Sequence, residues 1–83
     1  MERKEIQKQI EKVLGEDYKV VCLTDKKIGN SNHRTWAIIE KNCKSVEALF
    51  DATDENIYSV KYCEASVLKE LALIDKTLKQ NRC

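Results

Sequence analysis

The residues that could act as nucleophiles, bases or metal ligands are few and widely spaced. His33 is the one histidine, and the four cysteines are Cys22, Cys43, Cys63 and Cys83. No two cysteines form a Cys-x-x-Cys pair, the spacing typical of zinc and redox sites. No motif places an orienting group beside a cysteine–histidine pair, and two glycines cannot supply a phosphate-binding loop. We therefore expect no enzymatic activity, no cofactor and no metal, with all four cysteines as free thiols.

The segment from Lys26 to Arg34 is the candidate for binding nucleic acid. It predicts a polar loop, because Gly29, Asn30 and Asn32 are common in turns. Its amides and hydroxyls can hydrogen-bond to phosphates, and its cations can neutralise them. The candidate contact residues are Lys26, Lys27, His33 and Arg34. A solvated hairpin loop explains the same composition without any ligand.

The longest predicted element is a helix over Thr53–Gln80. Apolar residues recur there at steps of three and four, which places them on one stripe of a helix. The stripe consists of Ile57, Val60, Val67, Leu71, Ile74 and Leu78. The segment Ile57–Tyr62 also alternates and has high β-propensity, so a fourth strand in a hairpin is the alternative. The helix is preferred because its stripe continues in register to Leu78.

The side of that helix opposite the stripe is the candidate partner-binding surface. It would carry Tyr58, Tyr62, Lys69, Leu73 and Lys76. Exposed tyrosines and a leucine beside cations have the composition of a protein interface. The alternative is that the tyrosines and the leucine pack over neighbouring elements at the periphery of the core.

The preceding elements predict an α+β fold with the order α-β-β-β-α. They are a helix over residues 2–14 followed by Gly15, strands over Asp17–Asp25, Thr35–Lys41 and Val46–Ala52, and a turn over Asn42–Ser45. A helix capped by Ser45 is the alternative for the third strand. The layer rules then favour a three-stranded antiparallel sheet with the N-terminal helix and the long C-terminal helix on one face. The whole chain, residues 1–83, is expected to form one domain.

The two faces of this predicted sheet are both apolar. The face toward the helices would carry Val20, Cys22, Trp36, Ile38, Ala48 and Phe50, and the outer face Val21, Leu23, Ala37, Ile39 and Leu49. A solvated sheet face normally alternates apolar and polar residues, and the first two strands do not alternate cleanly. The pattern predicts a cover for the outer face, which could be a partner, a second copy in a homodimer or a loop.

Composition excludes several classes of function and location. The formal net charge of +1 gives no global field for nucleic acid or membranes, although basic residues concentrate in Lys26–Lys44 and acidic ones in Ser45–Ile57. The N-terminal sequence MERKEIQKQI lacks the apolar core of a signal peptide. No apolar run approaches the roughly 20 residues that a membrane span needs. These features predict a cytoplasmic protein.

The element order and the Lys26–Arg34 loop resemble the double-stranded-RNA-binding domain. That family has a Gly-Pro-x-His loop that probes the RNA minor groove, and Gly29-Asn30-Ser31-Asn32-His33 would be its counterpart, one residue longer and without the proline. The family also has a lysine-rich start to its second helix, where this chain has Thr53-Asp54-Glu55-Asn56. The resemblance implies RNA binding as the alternative function.

The chain also resembles small phage-encoded inhibitors of the anti-CRISPR kind. The resemblance rests on its size, on Asp17-Tyr18-Lys19-Val20 at the start of the first strand, and on the Trp36-Ala37-Ile38-Ile39 strand after a polar loop. Inhibitors of this kind that mimic DNA are strongly acidic, so mimicry would rest on a small group of acids: Glu47, Asp51, Asp54 and Glu55. The resemblance implies a non-enzymatic protein that inhibits a host enzyme acting on nucleic acid, by close contact.

Overall fold

The computed structural model describes residues 1–81, which form two α-helices and four β-strands. Helix α1 spans Arg3–Leu14, and the strands follow as β1 (Tyr18–Ile28), β2 (Ser31–Glu40), β3 (Val46–Ala52) and β4 (Ile57–Cys63). A 3₁₀ turn over Ala65–Val67 leads into helix α2 (Leu68–Lys79). The strands form one antiparallel sheet in chain order, β1-β2-β3-β4. The α+β class is confirmed, but the sheet has four strands and not the predicted three.

Helix α1 forms where the sequence predicts it. Ile6, Ile10 and Leu14 are buried along one side, and the other side is charged. The helix ends at Gly15, whose φ of 76° lies in the left-handed region and whose N–H donates to the Glu11 carbonyl over 3.0 Å. A side chain at this position would be strained, so the glycine ends the helix and turns the chain toward β1.

The β1–β2 hairpin is longer than the sequence predicts. Pairing continues to Ile28 opposite Ser31, so only Gly29 and Asn30 form the turn, and the predicted polar loop over Lys26–Arg34 is wrong. Gly29 has a φ of 61° at the first turn position. A glycine there matches a type II′ turn, which follows the natural twist of paired strands and lets a hairpin close on two residues.

The predicted helix over Thr53–Gln80 is correct only in its second half. Thr53 closes a tight turn instead of beginning a helix. Its N–H donates to the Asn56 carbonyl over 2.9 Å, and its hydroxyl accepts from the N–H groups of Glu55 and Asn56. The chain then returns along β3 as β4, so the alternating pattern and β-propensity of Ile57–Tyr62 prevail over its helical spacing.

Helix α2 is therefore short, with 12 residues. Its buried side consists of Leu71, Ile74 and Leu78, and Val67 is buried in the turn before it. The structure thus confirms the second half of the predicted apolar stripe, from Val67 to Leu78.

Both helices pack on the same face of the sheet. Trp36 and Phe50 are paired across β2 and β3 at the centre of this inner face and are fully buried. The rest of the core cluster comes from α1, the sheet and the C-terminal segment: Ile6, Ile10, Leu14, Val20, Ile38, Ala48, Ala52, Val67, Leu71, Ile74 and Leu78. The predicted inner face is confirmed, with Cys22 only half-buried.

Within residues 1–81, neither helix has the length and apolar character needed to cross a bilayer.

Candidate functional site

The outer face of the sheet is the side away from both helices. A row of side chains crosses all four strands on this face, because Val21 pairs with Ala37, Ala37 with Leu49, and Leu49 with Tyr62. We call these four residues the outer row. Since α1 and α2 both pack on the inner face, no element of the part described here covers the row.

The centre of the outer row is recessed. Ala37 is only 4% exposed although no other layer lies over it, because the larger side chains of Val21 and Leu49 stand on either side. Ile39 and Leu49 are half-buried in the same way, and Tyr62 is exposed at the end of the row. The row thus forms a shallow apolar surface with an aromatic ring at one end.

A polar strip borders the outer row on the same face. The hydroxyl of Thr35 donates to Asp51 Oδ1 over 2.5 Å, and Lys61 Nζ lies 3.4 Å from Asp51 Oδ2. Farther along, the rings of His33 and Tyr58 meet edge to face, with centroids 5.5 Å apart and a hydrogen bond of 3.3 Å between Nδ1 and the hydroxyl. These contacts fix the side chains that surround the apolar row.

Tyr62 is held in place at its polar end. Its hydroxyl donates to the Glu64 carboxylate, and this hydrogen bond raises the pKa of the phenol above its ordinary value of 10.0. The hydrogen bond links the polar end of the ring, at the margin of the outer row, to the residue that follows β4.

The structure divides the predicted partner-binding surface into two parts. Tyr58 and Tyr62 lie on β4 at the outer face, whereas Lys69, Leu73 and Lys76 are exposed on α2. The prediction that all five share one helix face is wrong, because the helix begins only at Leu68. Tyr62 belongs to the outer row and Tyr58 to the polar strip beside it, whereas the sequence pattern places both tyrosines on a predicted helix separate from the sheet.

The predicted nucleic-acid contacts are divided as well. Arg34 is 4% exposed and faces the inner side, where it forms ion pairs with Asp54 and with Asp25. The 3.1 Å contact from Arg34 Nε to Asp25 Oδ1 is an ion pair only, since its direction does not suit a hydrogen bond.

The two lysines of the predicted contacts face opposite sides of the β1–β2 hairpin. Lys26 pairs with His33, which faces the outer side. Lys27 pairs with Asn32, one position farther along each strand, and therefore faces the inner side. The four residues therefore do not form one basic surface.

Asp54 is the centre of a polar cluster around Arg34. Besides Arg34, it accepts hydrogen bonds from Asn32 Nδ2 over 2.9 Å and from the Met1 ammonium over 3.1 Å. Burial raises the pKa of the Asp54 carboxyl, but the hydrogen bonds from Asn32, the ammonium and Arg34 outweigh it, so that the pKa lies below 3.8. A carboxylate satisfied in this way is a structural anchor.

The acids proposed for DNA mimicry are engaged inside the protein. Asp54 binds Arg34, and Asp51 binds Thr35 and Lys61. Glu47 accepts hydrogen bonds from the hydroxyls of Ser45 and Ser66. These carboxylates form no free acidic row.

The cysteines of the described part are free thiols: Cys22, Cys43 and Cys63. Burial raises the pKa of Cys22 and of Cys63, and a hydrogen bond to the Glu40 carboxylate raises that of Cys43. Each thiol is thus a weaker nucleophile than an ordinary cysteine near neutral pH. Residues 1–81 contain no group of three or more histidine, cysteine or acidic side chains arranged to hold a metal. Cys83 lies outside the described residues.

Comparison with protein-family models, with curated proteins and with solved structures finds no match for the chain.

Proposed function

We propose that the chain is a non-enzymatic, cytoplasmic binding protein that engages a partner protein through the outer face of its sheet. One observation carries the proposal: the outer row, Val21–Ala37–Leu49–Tyr62, crosses four strands on the side that neither helix covers. An apolar centre with tyrosine at its margin and charges around it is the usual anatomy of a protein interface.

The area of the outer face is too small for a standard protein interface on its own. Strands lie about 4.8 Å apart and rise about 3.3 Å per residue, so the four-stranded part spans roughly 19 by 23 Å. That area is about half of the ~800 Å² that each partner buries in a standard interface. A stable complex must therefore extend past the four-stranded part, and Ile28, which is exposed at the end of β1 on the same face, lies beyond it.

Inhibition of the partner is the second part of the proposal. A small domain that packs closely over a functional surface excludes the natural ligand of that surface. The resemblance to phage-encoded anti-CRISPR inhibitors supports this part, and it makes an enzyme that acts on nucleic acid the proposed target. With Asp51 and Asp54 engaged internally, close packing by the outer row is better supported than DNA mimicry.

Binding of double-stranded RNA is the less supported alternative. The candidate contacts Lys26 and Lys27 face opposite sides of the hairpin, and the charge of Arg34 is matched by Asp25 and Asp54. A second copy of the chain could also cover the outer face and form a homodimer, which the experiment described next detects.

A capture experiment from bacterial lysate tests the proposal. The immobilised wild-type chain is compared with Leu49→Lys, which places a charge in the outer row, and with Leu73→Ala, a matched control on exposed α2. We expect wild type and Leu73→Ala to retain the same protein and Leu49→Lys to lose it. Retention of bulk RNA, or of proteins that do not distinguish the variants, would contradict the proposal. Light scattering of the free chain reports whether a second copy occupies the face.

A further inference from the structure

A groove of about 330 Å³ lies between β4 and α2, away from the outer face. Val60 on β4 and Leu68 on α2 form its two walls and are 50% and 55% exposed, while Leu71 between them is buried. The remaining lining residues are Ile57, Ala72 and Asp75. The groove is therefore an open apolar channel along the last strand of the sheet.

The strand edge beside this groove offers free backbone groups. One end of the β3–β4 ladder is closed by a hydrogen bond from Thr53 to Asn56, and the other by one from Glu64 to Glu47. In an antiparallel ladder, residue pairs that exchange backbone hydrogen bonds alternate with pairs that do not. When the pairs are counted from either closed end of the ladder, the Phe50–Val60 pair is one that does not exchange hydrogen bonds. The N–H and C=O groups of Val60 consequently point outward, at the wall of the groove.

Other features limit how much of this edge is free. The N–H of Ile57, which also points outward, donates to Asp75 Oδ1 over 2.9 Å. Two register irregularities between β3 and β4 bend the strand on either side of Val60. Occupied groups and bulges keep edges from pairing along their whole length. Only a short ladder centred on Val60 can form, so an occupant must gain the rest of its affinity from the groove.

The rim of the groove is basic. Lys69 and Lys76 are exposed, three residues before and four after Ala72, so they lie beside the groove on the outer side of α2. Neither takes part in an ion pair within residues 1–81. The one acid among the lining residues, Asp75, is engaged by the Ile57 N–H and by Lys79 Nζ at 2.9 Å.

From the free backbone of Val60, the apolar walls and the basic rim, we infer that this groove binds an extended peptide segment of a partner protein. The segment adds a short strand to β4, places apolar side chains between Val60 and Leu68, and directs acidic side chains toward Lys69 and Lys76. Such strand addition derives affinity from backbone hydrogen bonds and specificity from alternate side chains. The groove and the outer face are separate surfaces, so this inference does not depend on the function proposed for the outer face.

A displayed library of random peptides, about nine residues long, tests the inference on the full chain. We expect enrichment of sequences in which apolar residues alternate with aspartate or glutamate. The best synthetic peptide is then titrated against wild type, Leu68→Glu and Ala72→Glu, both of which place bulk and negative charge in the groove at exposed positions. Each variant should lose at least about tenfold in affinity, and the peptide should shift the amide resonance of Val60.

Matched variants separate the groove from the other surfaces. Leu73→Ala on α2 and Leu49→Lys on the outer face should bind the peptide like wild type, and a urea melt confirms that each variant is folded. The double variant Lys69→Glu/Lys76→Glu should reverse the preference from acidic to basic peptides. A library without enriched sequences, enrichment of basic peptides, or binding lost in Leu49→Lys and kept in Leu68→Glu would overturn the inference.

Discussion

Asp54 lies against the guanidinium of Arg34 and joins the turn between β3 and β4 to the middle of β2. The pair closes one end of the inner face. The Met1 ammonium and Asn32 contact Asp54 there, and Asp25 contacts Arg34. Arg34, read from the sequence as a nucleic-acid contact, is thus a structural residue, and it supports the hairpin from which the outer face is built.

Replacement of Arg34 should therefore destabilise the fold. Arg34→Ala removes the guanidinium from Asp54 and Asp25. Because Asp54 keeps Asn32 and the Met1 ammonium as partners, the loss should be about 1.5–3 kcal/mol, the range for a hydrogen bond to a charged group. Urea unfolding measures the change in the free energy of unfolding. Lys27→Ala, at an exposed position in the same hairpin, is the control and should change it by less than about 0.5 kcal/mol. Equal small losses in both variants would show that the Arg34 cluster contributes little.

Acid should remove the contribution of Asp54. Its pKa is lowered in the folded state, so its stabilising effect is present above the ordinary value of 3.8 and is lost as the pH falls through the folded-state pKa. Urea midpoints measured between about pH 5 and pH 2 for wild type and Asp54→Asn test this. The difference between the two proteins should shrink toward the acid end. A difference that stays constant over this range would contradict the assignment.

The four-stranded fold predicts different costs for replacing the residues on either side of the 3₁₀ turn. Leu71→Ala removes a buried side chain and should cost about 2–5 kcal/mol. Tyr58→Ala removes an exposed ring whose edge-to-face contact is with His33, and an aromatic contact of this kind contributes about 0.5–1.5 kcal/mol. Thermal or urea melts of the two variants give both values, with Leu73→Ala as the exposed control on α2. A larger loss for Tyr58→Ala than for Leu71→Ala would contradict the exposure of Tyr58 and the burial of Leu71.

The thiols should react slowly. Cys43 is exposed, but its hydrogen bond to Glu40 raises its pKa, so little thiolate is present near neutral pH. Alkylation by iodoacetamide, followed by mass spectrometry at each cysteine, measures the rate. Glu40→Gln removes the negative charge and should increase the rate at Cys43 while leaving that at Cys22 unchanged. An unchanged rate at Cys43 would show that Glu40 does not control this thiol.

The parts of the fold that the sequence predicts correctly are those with one dominant pattern. Helix α1 has a single apolar side and a terminal glycine, and the inner face of β2 and β3 follows from the alternation around Trp36 and Phe50. The segment Ile57–Tyr62 satisfies two periodicities at once, and local spacing does not show that Thr53 closes a hairpin instead of beginning a helix. Pairing with β3 decides between strand and helix for this segment, and such pairing between strands cannot be seen in the spacing of the segment's own residues.

The same difficulty explains the candidate sites. Apolar residues on both sides of β1 and β2 predict an apolar outer face that a partner, a second copy or a loop would cover, and the structure places Val21, Ala37 and Leu49 on that face. That Tyr62 completes the row depends on the fourth strand. The burial of Arg34 depends on Asp54, twenty residues away, because a basic residue in a polar segment gives no local sign of its partner.

The most direct test of the account is the affinity of the captured partner for variants of the outer row. Calorimetric titration compares wild type with Leu49→Lys and Tyr62→Ala, with Leu73→Ala as the control on α2 and a urea melt to establish that each is folded. The account predicts a loss of about 2 kcal/mol or more in binding free energy for Leu49→Lys, the range of a central interface residue, and no change for Leu73→Ala. Unchanged affinity in Leu49→Lys would contradict the claim that the outer face is the docking surface.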